Sequence, residues 1–188
     1  MNIDTKTALL NSAENAARSR GFDGFSYADL AQDVGIRKAS VHYHFPTKAV
    51  LSLALMQRYQ ADIQDACHLI DAADISASAR LSALIDRYMA ALEGGKSLCL
   101  CVALSTSRDS LPAEVIDQIR QFREMMVAWL QNVFEAGTAD GSIVNVSNPK
   151  AEAFASLSLL EGAQLAARAE ENLALFEQAT ELLRIRLR

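Results

Sequence analysis

Between Val50 and Ile70 apolar residues return every three or four places, at Val50, Leu51, Ala54, Leu55, Tyr59, Ile63, Ala66, Cys67 and Ile70, with no glycine or proline between them. That spacing lays a stripe along one face of a helix, so the stretch reads as a single helix of about 25 residues, capped at its start by Thr47. With 8 Gly and 3 Pro in 188 residues, the chain lacks the punctuation of a many-stranded β fold. An all-α architecture is expected.

The flanking segments repeat the pattern. Residues 5–20 place Leu9, Leu10, Ala13, Ala16 and Ala17 at helical spacing and stop at Gly21, with Phe22 and Phe25 expected to pin the turn that follows. Ser26, with Asp29 three residues on, is a capping-box variant that opens a second helix carrying Leu30, Ala31 and Val34 inward. Gly35 breaks it and Ile36 drops into the crevice. A third helix is expected from about Arg37 to Phe45, ended by Pro46. After a turn at 71–78, a fifth spans 79–92 and ends at Gly94-Gly95, and a short apolar helix covers 98–106. A long seventh starts near Pro112, carries Val115, Ile119, Phe122, Met126, Trp129 and Val133, and is expected to end at Gly137. The β-branched stretch 141–146 has no visible partner strand and reads as a loop. Asn148-Pro149 caps the eighth helix, with Phe154, Leu157, Leu160, Leu165 and Ala166. The ninth carries Leu173, Phe176, Ala179, Leu182, Leu183 and Leu187.

Charge is divided unevenly. Residues 1–60 hold seven Lys or Arg against five Asp or Glu, a balance of +2, so the remaining residues carry −7 of the net −5. A slightly basic head on an acidic body suits a protein that meets phosphate at one end only. No apolar run approaches the roughly 18 residues of a membrane span, and the N-terminal residues lack the pattern of an export signal; a soluble, cytoplasmic chain is expected. Cys67, Cys99 and Cys101 are an odd number without the spacing of a zinc site, and His42 and His44, two apart on a helix, point to different faces. No metal or other cofactor is expected.

The stretch from Phe25 to Lys48, FSYADLAQDVGIRKASVHYHFPTK, has two short helical patterns joined by a tight turn, the second rich in cationic, hydroxyl and aromatic side chains. That is the make-up of a helix-turn-helix DNA reader. Gly21-Phe22, Ser26, Asp29-Leu30-Ala31, Val34-Gly35-Ile36, Lys38-Ala39-Ser40-Val41 and Tyr43-His44-Phe45-Pro46-Thr47-Lys48 together resemble the TetR family of bacterial transcriptional regulators. The resemblance covers roughly a quarter of the chain. It implies about nine helices, with a three-helix DNA-binding domain at 1–47 and a ligand-binding and dimerisation domain at 48–188, joined through the fourth helix. It also implies double-stranded DNA with a near-palindromic operator, a homodimer formed through helices eight and nine, and a small-molecule effector as partners. By position the third helix would enter the major groove with Arg37, Lys38 and Ser40 facing DNA and Ala39 permitting close approach, while Val41 and Phe45 pack beneath. Arg37 is the candidate for bidentate contact to guanine. Ser26, Tyr43, His44 and Lys48 are candidate phosphate contacts, and His42 joins the DNA-facing set where the family commonly has Tyr. Two other positions depart from the pattern. Ala17 stands for the usual Phe, so that Phe22, Phe25 or Tyr27 must fill the head, and Ala49 stands for a frequent Glu.

Tyr59, Met89, Leu104, Phe122, Met126, Trp129 and Phe154 form a set of large, adaptable side chains on the body helices. Core packing explains any one of them; as a set they point to a mostly apolar ligand, with Arg108, Arg123 and Gln164 available for polar contacts. The leading reading is thus a repressor released by such a ligand. Two alternatives stand beside it: a small helical lipophile-binding protein or enzyme, and a regulator that senses thiol oxidation through Cys99 and Cys101. No acid pair, nearby Cys-His couple or phosphate loop supports catalysis.

Overall fold

Asp4 begins the fold: its carboxylate accepts from the backbone amides of Lys6 (3.0 Å) and Thr7 (3.3 Å), satisfying the orphan donors of a helix start. In the computed structural model, which describes residues 4–188, nine α-helices follow among those residues. They are α1 (Thr5–Arg20), α2 (Tyr27–Val34), α3 (Lys38–His44), α4 (Lys48–Ala72), α5 (Ala77–Ala90), α6 (Leu100–Ser105), α7 (Ala113–Asp140), α8 (Pro149–Ala169) and α9 (Leu173–Arg184). The all-α architecture with a long fourth helix is as expected. The reading of the N-terminus falls partly on residues 1–3, which lie outside the described residues. No described helix is long and apolar enough to cross a membrane.

The chain forms two compact units. The first comprises Met1–Asp62 and Leu100–Gln121, the second Ile63–Cys99 and Phe122–Arg188, so α4 and α7 run through both. Besides the N-terminal helices the first unit takes in α6, the start of α4 and the start of α7, and α6 packs on α1.

In the first unit α1 packs on α2 and α6, and α2 on α3. Leu9, Ala13 and Ala17 are fully enclosed, and Phe22, Phe25 and Tyr27 are all buried, supplying the bulk that an alanine at 17 leaves wanting. Gly35 ends α2 in the left-handed region (φ 74°), which a side chain would resist, and lets the Ile36 amide turn back to Ala31 O at 2.9 Å.

In the second unit α8 packs on α9 and both pack on α5. Two expectations change here. The seventh helix does not end at Gly137 but runs on to Asp140. A Cβ at Gly137 would lie 2.5 Å from the Ile143 side chain, so the glycine is there for close approach, and the Ile143 amide bonds its carbonyl at 3.0 Å. The 141–146 stretch is a loop as expected, yet it does have a partner: Ile143 forms an isolated antiparallel bridge with Leu187. Val144 donates to Arg186 O, and the Arg188 amide donates to Ser142 O.

Candidate nucleic-acid interface

The turn into α2 is built by the predicted capping box. The Ser26 amide donates to the Asp29 carboxylate (2.7 Å), the Ser26 hydroxyl donates to the same oxygen (2.9 Å), and the Asp29 amide reaches back to Ser26 Oγ. These bonds hold the Asp29 carboxyl below its ordinary pKa. Two turns later Gly35 sends the chain into α3.

Arg37 is the N-cap of α3, with extended backbone and no capping bond from its side chain, which leaves the guanidinium outside the fold. Arg37, Lys38 and Ala39 are exposed, Ser40 half-buried, and Tyr43 83% exposed. Val41 and Phe45, with 0% and 1% exposure, anchor the opposite face of the helix. An open groove of about 460 Å³ is lined by Thr5, Ile36, Arg37, Ala39, Ser40, Tyr43 and His44, so most of the sequence-predicted reading set lies on one surface.

Ser26, Lys38, His42 and Lys48 do not line the groove, and the last two turn toward other parts of the fold. His42 is outside the groove: its ring meets the edge of Tyr27 (centroids 4.8 Å apart) and its Nδ1 lies 3.4 Å from Pro46 O, so it packs α3 onto α2. Lys48 was expected on phosphate, but its ammonium turns inward. It donates to the carbonyls of Phe22 and Phe25, the latter at 2.7 Å, and lies over both rings. Burial lowers its pKa, with Asp23 and Asp29 pulling the other way.

Arg58 also escaped sequence reasoning. From α4 it donates to Asn11 Oδ1 (2.8 Å) and Glu14 Oε2 (2.7 Å) on α1. It lies off the apolar stripe of α4, so spacing along the chain carries no signal of a partner on α1.

The expected ligand set divides between the units. Tyr59, half-buried, and Leu104, enclosed, belong to the first; Met89, Phe122, Met126, Trp129 and Phe154 belong to the second. Phe122, Met126 and Trp129 are buried, and the Trp129 indole donates to Asp71 at 3.0 Å. Phe154 does not join these buried side chains. It is 51% exposed on the outer face of α8, because Ala153, Leu157 and Leu160 take the inward face and residue 154 falls about 100° away.

Two of the three predicted polar contacts, Gln164 and Arg123, are engaged within the fold. Gln164, fully buried, accepts from the Cys99 amide (3.1 Å) and donates to Tyr88 O (2.7 Å). Arg123 donates to Glu161, whose carboxyl burial raises above the usual range while Arg123 partly restrains it. Arg108 remains at the surface beside Asp109. Cys99 and Cys101 are buried, at 3% and 1% exposure. Among the described residues no three His, Cys, Asp or Glu side chains gather where a metal could sit.

Comparison with known proteins supplies the rest. Residues 9–55 match the family described as "Bacterial regulatory proteins, tetR family", and residues 77–183 match "Tetracyclin repressor-like, C-terminal domain". A TetR-family transcriptional regulator from Agrobacterium tumefaciens is 29% identical with a TM-score of 0.91, over 97% of this chain and 96% of that one. A TetR transcriptional regulator from Legionella pneumophila is 26% identical with a TM-score of 0.90 over the whole of both chains. The reduced form of NemR from E. coli, 22% identical over 99% of this chain and 98% of that one with a TM-score of 0.83, shows the same fold and no more. No curated protein matches the sequence. The second match alone spans more than half of the residues, and the chain belongs to the TetR family of bacterial transcriptional regulators.

Proposed function

We propose that this regulator is a cytoplasmic repressor that binds a near-palindromic operator as a homodimer and leaves it when a mostly apolar small molecule binds the body. The observation that carries the DNA side of this reading is the exposed Arg37-Lys38-Ala39 edge of α3, seated on the enclosed Val41 and Phe45. A rigid helix that offers a guanidinium, an ammonium and a residue without bulk can approach base edges closely. Arg37 reads bases, Lys38 and Ser40 support it, and Ser26, Tyr43 and His44 meet phosphate. His42 contributes from the side of α3 turned to α2.

Residues 1–47 carry this reading function, and 48–188 carry effector binding and dimerisation, with Phe122, Met126 and Trp129 as the apolar wall of the effector site, joined by Met89. Dimerisation is assigned to α8 and α9, whose outer faces leave Phe154, Leu165 and Leu182 exposed. Two heads would have to sit about 34–36 Å apart to meet successive major grooves. The effector acts only as far as its affinity differs between the two spacings. Burial of Cys99 and Cys101 favours their role as small apolar side chains over the thiol-sensing alternative.

The test is a mobility-shift series on DNA flanking the protein's own gene at rising salt. Sequence-selective binding that falls steeply with salt is expected; binding that is equal on unrelated duplexes, or none, would remove the reading.

A further inference from the structure

We infer that Lys48 is a positioning residue for DNA reading, which holds the α1–α2 turn against the first turn of α4 and does not itself contact phosphate. The inference rests on the DNA-reading function proposed above, and it reverses the role that the resemblance implies for this lysine.

Three observations converge. The first is electrostatic. Lys48 is the first residue of α4, where the positive end of the helix dipole disfavours a cation, so its ammonium gains by reaching away to acceptors. The second is the supply of acceptors. The chain leaves α1 at Gly21 and enters α2 at Ser26, and between them the carbonyls of Phe22 and Phe25 point to Lys48 Nζ. An ammonium has three donors, and two are spent here. The third is the enclosure. The Phe22 and Phe25 ring centroids lie 4.6 and 4.1 Å from Nζ, within cation–π reach, and both residues are buried. Two carbonyls and two ring faces thus hold the ammonium at the turn and oppose its moving out to a phosphate.

The mechanical consequence follows from the order of residues. Phe25 immediately precedes the Ser26 cap, and the Ser26–Asp29 box fixes the entry of α2, on which α3 packs. Lys48 therefore grips the backbone from which the helix-turn-helix is hung. Ten residues further along α4, about 15 Å at the helical rise, Arg58 grips α1 at Asn11 and Glu14. Within the first unit α4 is thus tied at two points, and the recognition helix takes its orientation from the tie at Lys48.

The experiment uses the full chain and a duplex selected from a random pool by the wild-type protein. If no duplex is selected, the DNA-reading function itself has failed, before any question about Lys48 arises. With a duplex in hand, the salt dependence of binding is compared for wild type, Lys48→Met and Lys48→Arg. Loss of the charge-assisted bonds should weaken Lys48→Met by about tenfold. The slope of log K against log salt should stay unchanged, and Lys48→Arg, which can still donate to both carbonyls and cover both rings, should recover most of the affinity. A slope shallower by about 0.9 per head would mean a phosphate contact, and unchanged affinity would mean a dispensable side chain; either result overturns the inference. Should Lys48→Met fail to fold, amine labelling of the wild-type protein decides. Lys48 is expected to react slowly with and without the duplex while exposed Lys38 reacts fast. A Lys48 that labels fast alone and becomes protected by DNA would refute the positioning role.

Discussion

At the scale of single residues, the head depends on a few polar side chains whose partners are backbone groups. Asp29 is fully exposed, yet its carboxylate accepts from the amide and hydroxyl of Ser26, which lowers its pKa in the folded state. A depressed carboxyl contributes stability above its unfolded pKa, near 3.8, and that contribution is lost as pH falls through the folded value. Thermal melts below pH 4 should therefore show wild type losing stability faster than Asp29→Asn, which starts lower at neutral pH; parallel curves would disprove the linkage. Arg37 belongs to the same scale but acts outward. Arg37→Ala should relax preference at one base pair of each half-site by about 1–3 kcal/mol, measured by binding to a panel of singly substituted duplexes, and leave the melting temperature alone. Equal losses on every duplex would reassign Arg37 to phosphate.

At the scale of elements, what was legible in the sequence was whatever depends on neighbours along the chain. The span of α1, the 25 residues of α4 and the Ser26–Asp29 box are set by local spacing and capping, and they lie where periodicity places them. What was not legible depends on contacts far along the chain. Gly137 looks like a stop signal, but whether a glycine ends a helix or passes through it depends on what lies over it, and here that is Ile143, held by its bridge to Leu187. The inward turn of Lys48 needs the Phe22 and Phe25 carbonyls more than twenty residues away. Phe154 carries no local mark to tell the inward side of α8 from the outward one. The Gly137 case can be tested. Gly137→Ala gains helix propensity of up to about 1 kcal/mol, but its methyl would meet Ile143 at 2.5 Å, and overpacking costs about 1–3 kcal/mol. The single variant should be less stable than wild type in urea unfolding. Gly137→Ala with Ile143→Gly, which also removes the Cβ that lies 2.8 Å from the new methyl, should be more stable than Ile143→Gly alone. If Gly137→Ala stabilises on its own, the close approach is not what keeps this glycine.

At the scale of the whole molecule, the unresolved account of apolar surface is the strongest argument for a second copy. Phe154 (51% exposed) and Leu165 (42%) lie on the outer side of α8, and Leu182 and Ile185 (64% each) on the outer side and end of α9. These helices pack on each other within the second unit, so their exposed residues belong to neighbouring surfaces. Leu69 on α4 is more exposed still, at 74%, but apolar side chains exposed singly need no partner. A two-fold interface takes every substitution twice, once from each copy, so a charge placed in it is buried beside its own image. Leu182→Glu is accordingly expected to shift the protein from dimer to monomer in light scattering at micromolar concentration. It should also cut the salt slope of DNA binding by about half, since one head neutralises half as many phosphates. Leu69→Glu should change neither. A Leu182→Glu protein that remains dimeric would place the interface elsewhere and leave the exposed faces of α8 and α9 without an occupant.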